Sequence, residues 1–88
     1  MKGNVMQKIY KEPLKLETET TINVLYNEDI ISIYTNKVNL QKQLNKLIGK
    51  PKKEYKIKRS IVGSLWEISL KEKTKIQKII LKANIYEL

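Results

Sequence analysis

Two runs of alternating residues, joined by a polar break, limit what this chain can fold into. Thr20, Ile22, Val24 and Tyr26 interleave with Thr21, Asn23 and Leu25, and beyond Asn27-Glu28-Asp29 the pattern resumes as Ile31 and Ile33 against Ser32 and Tyr34. Side chains of an extended strand point to opposite faces with a period of two, so each run presents one apolar face. Asn and Asp bond their own backbone and tolerate unusual angles, which makes 27–29 a turn. The segment predicts a β-hairpin, and a hairpin alone needs further packing to be stable.

The next residues offer that packing. Leu40, Leu44, Leu47 and Ile48 fall at i, i+4, i+7 and i+8, the stripe of a helix running from an N-cap at Thr35 or Asn36 to about Ile48. Gly49 suits the left-handed position past its end, and Pro51 blocks continuation. After a basic linker, Lys50–Lys53, alternation returns: Tyr55, Ile57 and Ile61 against Lys56, Lys58 and Ser60, with Arg59 out of place on the apolar side. Val62-Gly63-Ser64 reads as a second turn, and Trp66, Ile68 and Leu70 then alternate with Leu65, Glu67 and Ser69. A second helix is expected from about Lys71 to Ala83, capped by Ser69, with Ile76, Ile79, Ile80 and Ala83 on one face.

The order is a ββα-ββα pseudo-repeat, with Ile22 and Ile57, Ile33 and Ile68, and Leu44 and Ile79 each 35 residues apart. It predicts an α+β fold: a four-stranded antiparallel sheet with two helices on one face. Residues 18–88 are expected to form that single domain. Residues 1–17, interrupted by Pro13, read as an N-terminal arm in which Met6, Ile9 and Tyr10 share a face able to pack on it. A chain of 88 residues has room for one core and not for two.

Composition removes most chemistry. With no His and no Cys, zinc sites of the usual kind, thiol chemistry, imidazole bases and disulfides are all excluded. The three glycines, at 3, 49 and 63, make no phosphate-cradling loop. Glu54-Tyr55-Lys56, with Asp29 on an earlier turn, has the acid, acid, lysine content of metal-dependent nucleases. Chance alone supplies such a short motif in a chain with 17 Lys and 9 acids. The expectation is a non-enzymatic protein without cofactor or metal. No apolar run exceeds three residues, so no membrane span is expected and a cytoplasmic location is the default.

Charge is the positive signal. The net charge is +9, yet residues 1–36 carry 4 Lys against 5 acids, and all the excess lies from Lys37 onward. Lys42, Lys46, Lys50, Lys52, Lys53, Lys56, Lys58 and Arg59 crowd one helix, one linker and one strand, with Glu54 the only acid between 37 and 59. A basic strip of this kind attracts phosphate by counterion release. Tyr34 and Tyr55 beside it would offer stacking faces for single strands. The expected partner is DNA or RNA, or a nucleic-acid-bound protein complex. A rival explanation is a solvated surface: lysine guards edge strands against aggregation, and Lys, Ile, Asn and Tyr all use A/T-rich codons. That codon usage points to a low-GC bacterium, or a phage or mobile element of one. Two alternatives follow: an anti-CRISPR-like inhibitor of a host defence system, and a self-associating structural protein using exposed strand edges. A homodimer would also bury helix stripes that half the chain cannot bury alone.

Overall fold

The first hairpin forms where the alternation places it. The computed structural model describes residues 8–77. Strand β1 (Thr20–Leu25) runs antiparallel to β2 (Ile30–Thr35), with Ile22 opposite Ile33 and Thr20 opposite Thr35. A 3-10 turn, Tyr26–Glu28, joins them and closes on Asp29 at φ 59°, the left-handed region that Asp enters more readily than most residues. Helix α1 (Val38–Leu47) follows, then β3 (Lys53–Ile57), β4 (Ser60–Ser69) and a 3-10 segment, Leu70–Lys75. The four strands form one antiparallel sheet in the order β1-β2-β4-β3.

The core lies on one face of that sheet. Ile31, Ile33, Trp66 and Ile68 from the central strands pack with Leu40 and Leu44 of α1 and with Ile76. Ile22, Ile48 and Leu70 border the cluster. Leu47, expected on the helix stripe, is 45% exposed, so the stripe is narrower than its spacing suggested. Trp66 is an anchor: its ring is buried and its indole Nε1 donates to the Gly49 carbonyl at 2.9 Å. That bond ties the sheet to the end of α1, where Gly49 takes φ +111° as expected. Gln41 and Ser64, both buried, meet across the same interface at 2.6 Å, Ser64 Oγ donating to Oε1.

Several expectations are corrected. Neither Thr35 nor Asn36 caps α1; the cap position is Lys37, with no side-chain bond. Asn36 instead clamps the chain before β1, its Oδ1 accepting from Glu19 N at 2.7 Å and its Nδ2 donating to Glu17 O at 2.8 Å. The second hairpin turns at Lys58-Arg59, not at Val62-Gly63-Ser64, and Lys58 takes φ 58°. Arg59 broke the alternation because it is a turn residue. Gly63 lies inside β4 opposite Tyr55, where a Cβ would come within 2.5 Å of the Tyr34 hydroxyl. Its missing side chain makes room for a neighbouring ring; it does not make a turn.

The sheet has one α-helix among the described residues. Where the second was expected to begin, Leu70–Lys75 form 3-10 turns, with Ser69 Oγ accepting from Lys71 N at 3.2 Å as the expected cap. Residues 78–83 of that expected helix, including Ile79, Ile80 and Ala83, lie outside the described residues, as does Met6 of the arm. The described part of the arm is attached. Ile61 N donates to Ile9 O and Lys11 N to Ile61 O, so Tyr10 pairs parallel with the stretch of β4 that extends past the end of β2.

Candidate nucleic-acid interface

Residues directly opposite in an antiparallel ladder share a face. Ile33 faces Trp66 across the core, so Tyr34 and Leu65, one position along, share the other face. The register extends this into a row across the whole sheet: Thr21, Tyr34, Leu65, Lys53. Gly63 and Tyr55 form the next short row, and Asn23, Ser32 and Glu67 lie on the far side. Helix α1 and the Leu70–Lys75 segment both pack on the Trp66 side, so neither covers this face.

The two tyrosines sit together on it. Their ring centroids are 5.7 Å apart and their planes 75° apart, an edge-to-face pair. Tyr34 lies across Gly63. Lys53 Nζ stands over the Tyr55 ring, 5.0 Å from its centroid. Burial pushes the Tyr34 hydroxyl above the ordinary tyrosine range, and the Glu19 carboxylate and Tyr55 push it the same way. The hydroxyl therefore stays protonated near neutral pH and remains a hydrogen-bond donor.

The sequence-selected cations divide between two sides. Lys53 shares the tyrosine face. Glu54 lies opposite the core-facing Ser64, so Glu54 and Lys56 point to the helix side, and Tyr55 and Ile57 to the other. This reverses the expected strand orientation, in which Lys56 faced out and Tyr55 faced the core. Ile61 is still buried, because a register shift between Tyr55 and Lys56 places Ile61 rather than Val62 opposite Lys56. Lys42 reaches Tyr10 of the arm, 5.8 Å from the ring centroid, and Asn45 Nδ2 donates to the Tyr10 hydroxyl at 2.8 Å. Lys46 is exposed one helical turn on. Lys50 and Lys52 lie on the connection to β3, and Lys58 and Arg59 form the hairpin tip.

Three of the acids near these cations are already engaged. Lys8 pairs with Glu54 at 2.7 Å, Lys56 stands 4.0 Å from the same carboxylate, and Lys52 pairs with Glu67 at 2.9 Å, leaving Glu72 to Lys75. Among the described residues no ion pair holds Lys42, Lys46, Lys50, Lys53, Lys58 or Arg59. The nuclease-like set is not assembled. Glu54 lies opposite Ser64, while the Asp29 carbonyl accepts from Leu70 N just past the end of β4, six residues on, a separation of roughly 20 Å at ~3.4 Å per residue. Among the described residues no three acids gather as metal ligands, and no helix is long and apolar enough to cross a membrane.

Gly63 and Leu65 belong to the tyrosine face and were not singled out by spacing. Nothing local marks Gly63, since the ring that needs its space comes from β2. No family model, no curated protein and no solved structure matches the chain.

Proposed function

We propose that the protein is a non-enzymatic binding module that contacts nucleic acid, or a protein complex carrying it, through the tyrosine face and the basic β3 edge. The observation that carries this reading is the placement of Tyr55 on a sheet face that no helix covers among the described residues, 36% exposed, with Lys53 over its ring. Aromatic rings beside cations hold single strands by stacking and phosphate attraction, each tolerant of sequence. Lys52, Lys58 and Arg59 extend the cationic border along the connection and the hairpin tip. Lysine in place of arginine suits backbone contact better than the reading of base edges, where Arg–guanine pairs dominate.

Fluorescence anisotropy with labelled single-stranded and duplex oligonucleotides at two salt concentrations tests the reading. Single strands are expected to bind more tightly than duplex, with affinity falling as salt rises by a log–log slope of about −0.7 per phosphate contacted. Tyr55→Ala is expected to weaken single-strand binding about tenfold, in line with the ~1–3 kcal/mol of one stacked base. No binding at the lowest salt, or binding indifferent to salt, would sink it.

A further inference from the structure

The outer edge of β1 is a strand without a neighbour among the described residues, and its chemistry suits one partner. The main-chain bond from Asn36 N to Glu19 O, 3.1 Å, fixes which groups point where. In an antiparallel ladder a residue bonded to its opposite directs both N–H and C=O to that strand, and the next residue directs both away. Glu19 lies opposite Asn36 in the β1–β2 register, so Thr21, Asn23 and Leu25 bond to β2. Thr20, Ile22 and Val24 therefore present their N–H and C=O groups outward.

That edge carries none of the usual protections. Thr20–Leu25 reads Thr-Thr-Ile-Asn-Val-Leu, with no charge, no proline and an unbroken register. Val24 and Leu25 are each 38% exposed. An edge of this kind is a template for another strand. β1 itself carries no charge, so two copies meeting strand to strand set no like charges opposite each other within it, and the one cation lining the groove behind it among the described residues is Lys73.

We propose that β1 pairs with β1 of a second copy, antiparallel and centred on Ile22, to give a continuous eight-stranded sheet. Two conditions restrict the register to one centred on a residue, and among those the pairing about Ile22 overlaps five of the six strand residues and keeps Glu19 off its own copy. Opposite residues must share a face for both core faces to lie on the same side, and the outward groups must meet each other. Centring on Ile22 satisfies both: Ile22 faces its own copy, Thr20 faces Val24, and Thr21 faces Asn23. Glu19 then faces Leu25, so no like charges stand opposite. The apolar groove of about 320 Å³ beneath the strand, lined in part by Ile22, Val24, Ile31 and Ile76, borders this seam.

The experiment is the solution mass of the full chain without nucleic acid, across a concentration series. A concentration-dependent rise from 10.4 kDa to about twice that is expected. Val24→Lys, which copies the protection found on β3, is expected to raise the dissociation constant at least tenfold with the circular dichroism spectrum unchanged. Because the chain has no Cys, register is tested by mixing Thr21→Cys chains with Asn23→Cys chains under oxidation. Directly opposed Cα atoms in the unbonded pairs are about 4.5 Å apart, so the mixture is expected to cross-link several-fold faster than either variant alone. A mass that stays monomeric at every concentration overturns the proposal. A dimer indifferent to Val24→Lys, or cross-linking no faster in the mixture, does the same.

Discussion

The two edges of the sheet are built from opposite materials. β3 is five residues long, follows Pro51, carries Lys53 and Lys56, leads into the Lys58-Arg59 turn and has a register shift in its pairing. β1 is six residues of uncharged, mostly β-favouring sequence in unbroken register. Cations and irregular pairing keep a free edge from joining a neighbouring sheet. The cations of the sheet thus lie at one edge, while the other edge strand carries none. On the functions proposed above, one edge would meet phosphate and the other a second copy.

The largest effect that would break this contrast is at Gly63. In Gly63→Ala the new Cβ would meet the Tyr34 hydroxyl at 2.5 Å and its ring carbons at 2.9 and 3.0 Å. The ring must swing away, giving up its edge contact with Tyr55, at a cost of about 1–3 kcal/mol. Thermal or urea unfolding measures it, and Tyr34→Ala in the same chain is expected to cancel most of the added loss. Asn23→Ala, on the same face within β1, changes an exposed residue and should fall within about 0.5 kcal/mol of the parent. Additive losses at 63 and 34 would mean that the two residues are not coupled.

Next comes removal of the β3 protection. Lys53→Thr with Lys56→Thr gives β3 a surface closer to that of β1. If both lysines neutralise a phosphate, the double variant flattens the log–log salt slope of single-strand binding by about 1.4, at ~0.7 each. The same variant is expected to assemble beyond the dimer at high concentration, read by light scattering. An unchanged slope would show that these lysines are only a solvated border, as codon usage alone would make them.

How far these features were legible follows from how local their causes are. The β1–β2 hairpin and α1 were readable because alternation, the polar break, the leucine spacing and Gly49-x-Pro51 act within a few residues of themselves. The second hairpin was not. Its turn residues, Lys58 and Arg59, lack turn chemistry, and Gly63 has it but serves the Tyr34 ring from another strand. Apolar alternation with Ile57 and Ile61 points Tyr55 toward the core, but pairing with β4 turns Tyr55 to the other face and Lys56 to the helix side. The cations were easy to select by charge, but their division between two sides depends on the register of β3 with β4, which no local pattern states. Asn36 shows the same limit: a good cap by type, it is drawn instead to the backbone of Glu17 and Glu19.

Lys58 offers a smaller, signed test of the β3 tip. A non-glycine residue at φ 58° is held in left-handed backbone, which costs about 1 kcal/mol for most side chains and less for Asn. Lys58→Asn is expected to raise unfolding stability by roughly 0.5 kcal/mol, while removing one cation from the tip. Stability and affinity for single strands should therefore move in opposite directions in one variant. A loss of both would mean that Lys58 makes a stabilising contact the geometry does not reveal.

The smallest effect is the titration of Tyr34, where the sheet face meets the acidic side at Glu19. Its folded hydroxyl titrates above the ordinary tyrosine value, through burial first and then through Glu19 and Tyr55. A group whose pKa is raised on folding favours the protonated native state. Its contribution is complete below the unfolded pKa of about 10 and is lost as pH climbs through the folded value. The unfolding midpoint is therefore expected to fall above pH 10, and Tyr34→Phe, which cannot ionise, should fall less over that interval. Glu19→Gln removes one of the named causes and should bring the two curves closer together. The two proteins differ only at the Tyr34 hydroxyl, so the difference between the curves isolates it. Parallel curves would mean that its hydroxyl is no more buried than its neighbours', and that the open face is wetter than its register implies.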